Sequence, residues 1–369
     1  MTSFNVNFTS GVLDPRINFS RAGNTATVIN SSGFVAPVNA NIARFDYDPV
    51  TLNCKGLLIE ESRQNLFTYS ADLTDASWDF TGTARTANAG VAPDNTNTAT
   101  RVQFSANSFL FKNGVPAAGT NFTISVWVKS YSGTAQTIRL FGNGVTTLSS
   151  NISVNASWQR VTFTFTFSAA TSGFTTASGQ TADVLMWGAQ LEAGSFATSY
   201  IPTTSAAVTR NADVATITGS NFSDFWQANK GGTTAQVIPS TVSGISPLVQ
   251  YDDGTANEII ALRGNTTNPE LYIVDGGATQ AQLDAGTIVA NTAYSLTGWW
   301  ETNDCKARQD SGAVVTDTTA TIPTVTQARL GSDGTNYLNG HLATVTYYDT
   351  FFGQPIYTRR KNKVVSSLL

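Results

Sequence analysis

Two stretches alternate so strictly between apolar and polar side chains that the chain must contain β-strands covered on one face. In NFTISVWVKS (121–130), Phe122, Ile124, Val126 and Val128 share one side, and Thr123, Ser125, Trp127 and Lys129 the other. In WQRVTFTFTF (158–167), Val161, Phe163, Phe165 and Phe167 form the apolar side, leaving Trp158, Arg160, Thr162, Thr164 and Thr166 opposite. A two-residue period belongs to an extended chain, and its apolar face needs a second layer to cover it. With the shorter runs QTIRLFG and DVLMWGAQLE and their Gly-, Asn- and Ser-rich turns, residues 75–213 read as two packed antiparallel sheets.

Composition supports the same class. Of 369 residues, 41% are hydrophobic and only 12% are charged; Thr, Ser, Asn and Gly fill the difference, which suits strands and tight turns rather than long helices. This length allows two ordinary domains with cores of their own. Residues 220–355 supply the second, because TTAQVIP, NEIIALRG, ELYIVDG, AYSLTGWWE, CKARQDSG and HLATVTYYD recur with turns such as YDDGTAN and GSDGTNY between them. The expected fold is therefore all-β: tandem antiparallel β-sandwiches joined by a connector near TSAAVTRNADVATITGS. Residues 1–74 hold too little apolar surface for a core, so they are expected to be an extended segment that attaches the protein to a neighbour or braces the next domain. Residues 356–369 form a basic tail containing Arg359, Arg360, Lys361 and Lys363, read as a solvated terminus, with docking to an acidic neighbouring subunit as the alternative.

Several chemistries are disfavoured. A net charge of −4 supplies no broad attraction for phosphate backbones, so no nucleic-acid partner is expected. No stretch approaches the length of a membrane span, and the N-terminus lacks a basic region followed by an apolar run; the expectation is synthesis in the cytoplasm without membrane insertion. Cys54 and Cys305 fall in different expected units, without zinc-ligand spacing, and read as unpaired. The single histidine, His341, leaves no histidine-rich metal site; by alternation it shares a face with Ala343, Val345 and Tyr347 and reads as a packed or edge residue. GxSxG, Walker, HExxH and dinucleotide fingerprints are missing. The neighbours Glu60 and Glu61, like Asp252 and Asp253, would point to opposite faces of a strand, which is poor geometry for a carboxylate dyad. The carboxylates in YDDGTAN and GSDGTNY read as turn chemistry, so no metal ligand, cofactor or catalytic residue is assigned.

Binding chemistry is better represented. A sugar offers apolar C–H faces ringed by hydroxyls, so a sugar site needs a flat aromatic surface bordered by hydrogen-bonding side chains. Trp127 and Trp158 lie on the polar faces of their strands with Lys129 and Arg160 beside them in sequence; if the strands share a sheet, that face has the right materials. The competing reading buries both tryptophans at a sheet edge or under the N-terminal segment. In the second unit Trp300 alternates with Tyr294 and Leu296 and reads as core, whereas Trp299 aligns with Ser295, Thr297 and Glu301 and is the candidate contact.

IARFDYDPVTLNCKGLLIEESRQNLFTYSADLT (42–74) and GAQLEAGSFATSYIPTTSAAVTRNAD (188–213) resemble tailed-bacteriophage virion proteins, and they flank a domain that resembles a carbohydrate-binding-type jelly roll. Trp78 and Trp187 match aromatic positions of that pattern and are expected to be structural. YSLTGWWETNDCKARQDSG (294–312) and YLNGHLATVTYYD (337–349) resemble a concanavalin or laminin-G type jelly roll. The resemblance implies a non-enzymatic virion structural protein of a tail fibre or other appendage that contributes to host-surface polysaccharide adhesion. It also implies other virion proteins as partners and a homo-oligomer, with a trimer favoured by appendage architecture. Two alternatives remain open: a capsid, collar or tail decoration protein without a ligand, and a secreted bacterial glycan-binding module.

Overall fold

In the computed structural model, which describes residues 4–23, 26–113, 121–144, 146–166, 168–169 and 171–349, almost all regular structure is antiparallel strand. The basic tail and Phe167 lie outside the described residues. Between residues 79 and 193, nine strands form one hydrogen-bonded sheet that folds over on itself. The strand Ala99–Lys112 makes the fold: its first half pairs with Ala182–Ala193, and its second half with Ser172–Thr175. One layer continues through Asn121–Ser130 to Gln159–Thr166, the other through Gln136–Gly142. Val102, Phe104, Ile124, Val126, Leu140 and Phe174 close together between the layers, as the alternation requires.

The polar side of Asn121–Ser130 is not solvated as a half-buried strand should be: Thr123 and Ser125 are fully buried. Groups on or next to the two neighbouring strands of the same sheet satisfy their hydroxyls. Thr123 donates to the Gly194 carbonyl at 2.9 Å, and Ser125 Oγ accepts from Arg160 at 3.0 Å. A polar side chain can be buried where it keeps a hydrogen bond, so this strand tolerates two covered faces.

The second sandwich packs an eight-stranded sheet against a seven-stranded one. Tyr251, Trp300, Tyr347, Phe225 and Trp226 fill one end of its interior, with the Trp226 and Trp300 rings stacked at 5.8 Å between centroids. The alternation reading of Trp300 as core is met; it is 1% exposed.

Several strands between residues 5 and 59 are woven into this second sandwich, whereas Phe67 and Leu73 enter the core of the first. The strand Gly340–Tyr348 has Lys230–Pro239 on one side; on its other side Asn5–Asn7 pairs near Val345, and Cys54–Ile59 pairs near His341. Asn18–Ser20 joins the opposite sheet through Val214–Thr218, so the stretch read as a connector contains a strand whose Ala215 and Ile217 are fully buried. Phe4, Val6, Phe8, Leu57 and Ile59 thereby enter a core whose other walls come from residues far along the chain. Two expectations are corrected as a result. Cys54 and Cys305 belong to one sheet rather than to different units, and both are free thiols. His341 does not share a face with Val345 and Tyr347. Val237 opposes Leu342 while Gln236 opposes Thr344, so Ala343 is an extra residue whose bulge reverses the alternation and turns His341 away from the core.

Candidate functional site

Trp127 and Arg160 are direct cross-strand partners, and Lys129 and Trp158 stand one step along the same pair of strands. The pleat therefore puts all four on the outer face of the first sandwich. The Arg160 guanidinium carbon lies 4.5 Å from the Trp127 ring centroid, and Lys129 Nζ lies 5.0 Å from that of Trp158. Above them the hairpin Ala26–Ile29/Val35–Val38, the turn around Val50 and residues 197–200 enclose a cavity of about 680 Å³, closed on the far side by Ser240 and His341 of the second sandwich. This volume lies within the usual range for small-molecule sites.

The two tryptophans play different parts. Trp127 is 9% exposed and edges against Trp187 at 5.7 Å and Tyr200 at 5.5 Å, with Val35 of the N-terminal hairpin in the same cluster. The packing reading thus holds for most of its ring, and Trp187 is structural as expected. Trp158 is only partly buried; its Nε1–H donates to the Val91 carbonyl at 3.1 Å, which fixes the ring plane and leaves a face toward the cleft. Val50, 86% exposed, and Val91, 51% exposed, extend the apolar rim.

The wall is held by buried ions. Arg44 pairs with Glu60 at 2.7 Å and with Asp213; Arg21 reaches Asp213 at 3.2 Å, and Arg210 reaches Glu60 at 3.5 Å. Ser199 donates to Glu60 through both its amide, 2.7 Å, and its hydroxyl, 2.6 Å. Burial opposes ionisation of Glu60, but Arg210 and Arg44 overcome it and hold the carboxyl well below the ordinary range. Asp46 is similar: burial disfavours its charge, while His341 Nε2 at 2.8 Å and Lys55 at 2.5 Å keep its pKa low. These carboxylates are committed to pairs, and neither is set up to pass a proton. Glu61 turns the other way, toward Arg63 and Asn339, and Asp252 is taken by Gln327 and Arg329.

Trp299 stands apart from the cleft. It lies in Tyr294–Glu301 between Gly232 and Lys306, with the Arg308 guanidinium 5.8 Å from its ring. Four of the five sequence candidates therefore converge, and the fifth is on a different surface. Sequence reasoning missed Asp46, Val50 and Lys55, which reach the cleft only because the N-terminal segment folds back, and Val91, which follows the strand Asp79–Gly90 of the first sandwich; His341 was noticed, but its direction depends on a bulge.

No protein-family model matches the chain, and no curated protein does. Among solved structures, the chain is similar to the CBM40 of Ruminococcus gnavus IT-sialidase, at 12% identity over 34% of this chain and 78% of that one, with a TM-score of 0.30. It is similar to the CBM22-1–GH10 modules of Clostridium thermocellum xylanase 10B at 18% identity over 38% and 30%, with a TM-score of 0.29, and to mouse laminin α1 domains LG4-5 at 8% over 74% and 89%, with a TM-score of 0.24. Likeness this low carries no argument about mechanism, and the sandwich assignment rests on the strand pairing itself.

Proposed function

We propose that this chain is a non-enzymatic glycan-binding structural protein of a tailed-phage virion appendage and that the cleft between its sandwiches receives the sugar. The observation that carries the reading is the convergence of Trp127, Lys129, Trp158 and Arg160 on one wall of a cavity with an apolar rim. An aromatic face with a fixed plane, next to donors on rigid strands, suits the alternating apolar and hydroxyl surfaces of a saccharide. The cleft's own carboxylates, Asp46 and Glu60, are paired, which favours binding over hydrolysis.

The phage assignment rests on the two segments that resemble virion proteins. They meet at the ionic joint: Arg44 and Glu60 come from the first, and Ser199, Arg210 and Asp213 from the second. Residues far apart in sequence thus form one structural unit that sets the cleft wall. On this reading the protein resides in the virion, contacts other virion proteins, and forms a homo-oligomer, favoured as a trimer, in which weak sugar contacts add up. The test is competition. Purified protein preincubated with host cells should block adsorption of the phage, and antibody to the protein should do the same; antibody that coats the particle while adsorption proceeds unchanged would overturn the adhesin assignment in favour of a decoration protein.

A further inference from the structure

The charges around the cleft are unequally matched. Asp46 is taken by Lys55 and His341, and Glu60 by Arg44 and Arg210. Lys129, half-buried on the cleft wall, has no ion pair among the described residues; its ammonium has only the Trp158 ring. Arg160 bonds to neutral acceptors, the Thr198 carbonyl at 2.6 Å and Ser125 Oγ at 3.0 Å, and its Nε is buried without a partner. Burial pushes the Arg160 pKa down, yet arginine keeps its charge. Arg160 also feels the charges of Glu192, Glu60 and Asp46, so Lys129 is the cation that faces the cavity without a carboxylate partner among the described residues, in a chain whose net charge is −4. Low-dielectric walls concentrate the field of such a charge on whatever enters.

Building on the glycan reading, we propose that the cleft selects acidic saccharides whose pyranose ring carries a carboxylate, with Lys129 as the anion contact. The sugar's apolar face stacks on Trp158, and the Lys129 ammonium exchanges its ring contact for an ion pair with the carboxylate. Arg160, fixed behind Trp127, adds positive potential without having to move. A neutral sugar could use the same aromatic surface but would leave Lys129 unmatched.

The experiment is binding to an immobilised panel of uronate oligosaccharides, each paired with its carboxyl-reduced counterpart, together with sulfated neutral oligosaccharides. The full chain is compared with Lys129→Gln and Lys129→Arg after thermal melts show that both fold. The expected result is about tenfold or more tighter binding to uronates than to their reduced partners, a ratio that collapses in K129Q and survives in K129R. Equal binding of native and reduced partners refutes acid selection while leaving the glycan reading in place. Preference for the sulfated members refutes the carboxylate assignment, an unchanged ratio in K129Q refutes the role of Lys129, and no binding to any saccharide overturns both readings.

Discussion

Replacing Asp213 should be among the most damaging single changes in the molecule. Its side chain is fully buried, and it faces Arg21 at 3.2 Å, Arg44, and Arg210 at 3.9 Å, while also accepting the Glu60 amide at 2.9 Å. In its contact ion pairs the joint sets Arg21, Arg44 and Arg210 against Glu60 and Asp213, with Glu192 adding a more distant negative charge on Arg210. Asp213→Asn leaves three buried guanidinium groups facing one carboxylate, and breaking a buried pair from one side costs about 3–5 kcal/mol. The amide still offers an oxygen to the Glu60 N–H, so Asp213→Asn belongs near about 3 kcal/mol and Asp213→Ala, which loses the acceptor as well, near about 5 kcal/mol. Urea unfolding followed by tryptophan fluorescence and circular dichroism measures the difference, and amide exchange locates it. Protection should fall first in Ala26–Ile29 and Cys54–Ile59, which carry or adjoin the joint, and last in Asn121–Ser130. If both variants unfold within about 1 kcal/mol of the parent, the joint does not hold the N-terminal segment in place and the argument fails.

Other consequences can be measured separately. Lys112 is buried against the Trp78 ring at 4.7 Å, and burial lowers its pKa to about 8. The folded state therefore disfavours the charged amine, and between about pH 8 and the ordinary lysine range near 10.5 the unfolded chain holds the extra proton. Stability of the parent should rise relative to Lys112→Met across that window, by at most about 3 kcal/mol; a flat difference in urea midpoints contradicts it. A methyl group added at Gly56, where φ is +119°, would lie 2.2 Å from the Leu342 carbonyl oxygen, so Gly56→Ala should cost at least about 2 kcal/mol in chemical unfolding. Trp127→Ala should destabilise by about 3–5 kcal/mol as a core truncation, whereas half-exposed Trp158→Ala should stay within about 1 kcal/mol of the parent by the same assay.

Strand faces were legible where the two-residue period was long. Phe122 to Val128 and Val161 to Phe165 gave the face of each strand that carries Trp127, Lys129, Trp158 and Arg160, while the pairing that puts the two strands side by side came from the structure. The cover over that face was not legible, because it depends on pairing between residues hundreds of positions apart. Asn5–Asn7 and Cys54–Ile59 are too short and too mixed to announce partners, and they gain their register only against Gly340–Tyr348. For the same reason Asp46 and Lys55 could not be assigned to the site from local pattern. His341 was placed on the wrong face because one inserted residue reverses a strict alternation, and nothing in HLATVTYYD marks where the bulge falls. Trp299 met the alternation rule for an exposed face but lies on a surface remote from the cleft, which composition and period cannot distinguish.

The most direct test is calorimetric titration of the full chain with fragments of host surface polysaccharide, comparing the parent with Trp158→Ala and Trp299→Ala. Binding in the cleft predicts that Trp299→Ala matches the parent while Trp158→Ala loses about tenfold or more in affinity without losing stability. Loss of affinity in Trp299→Ala with Trp158→Ala unaffected would move the site to the second sandwich and contradict the account.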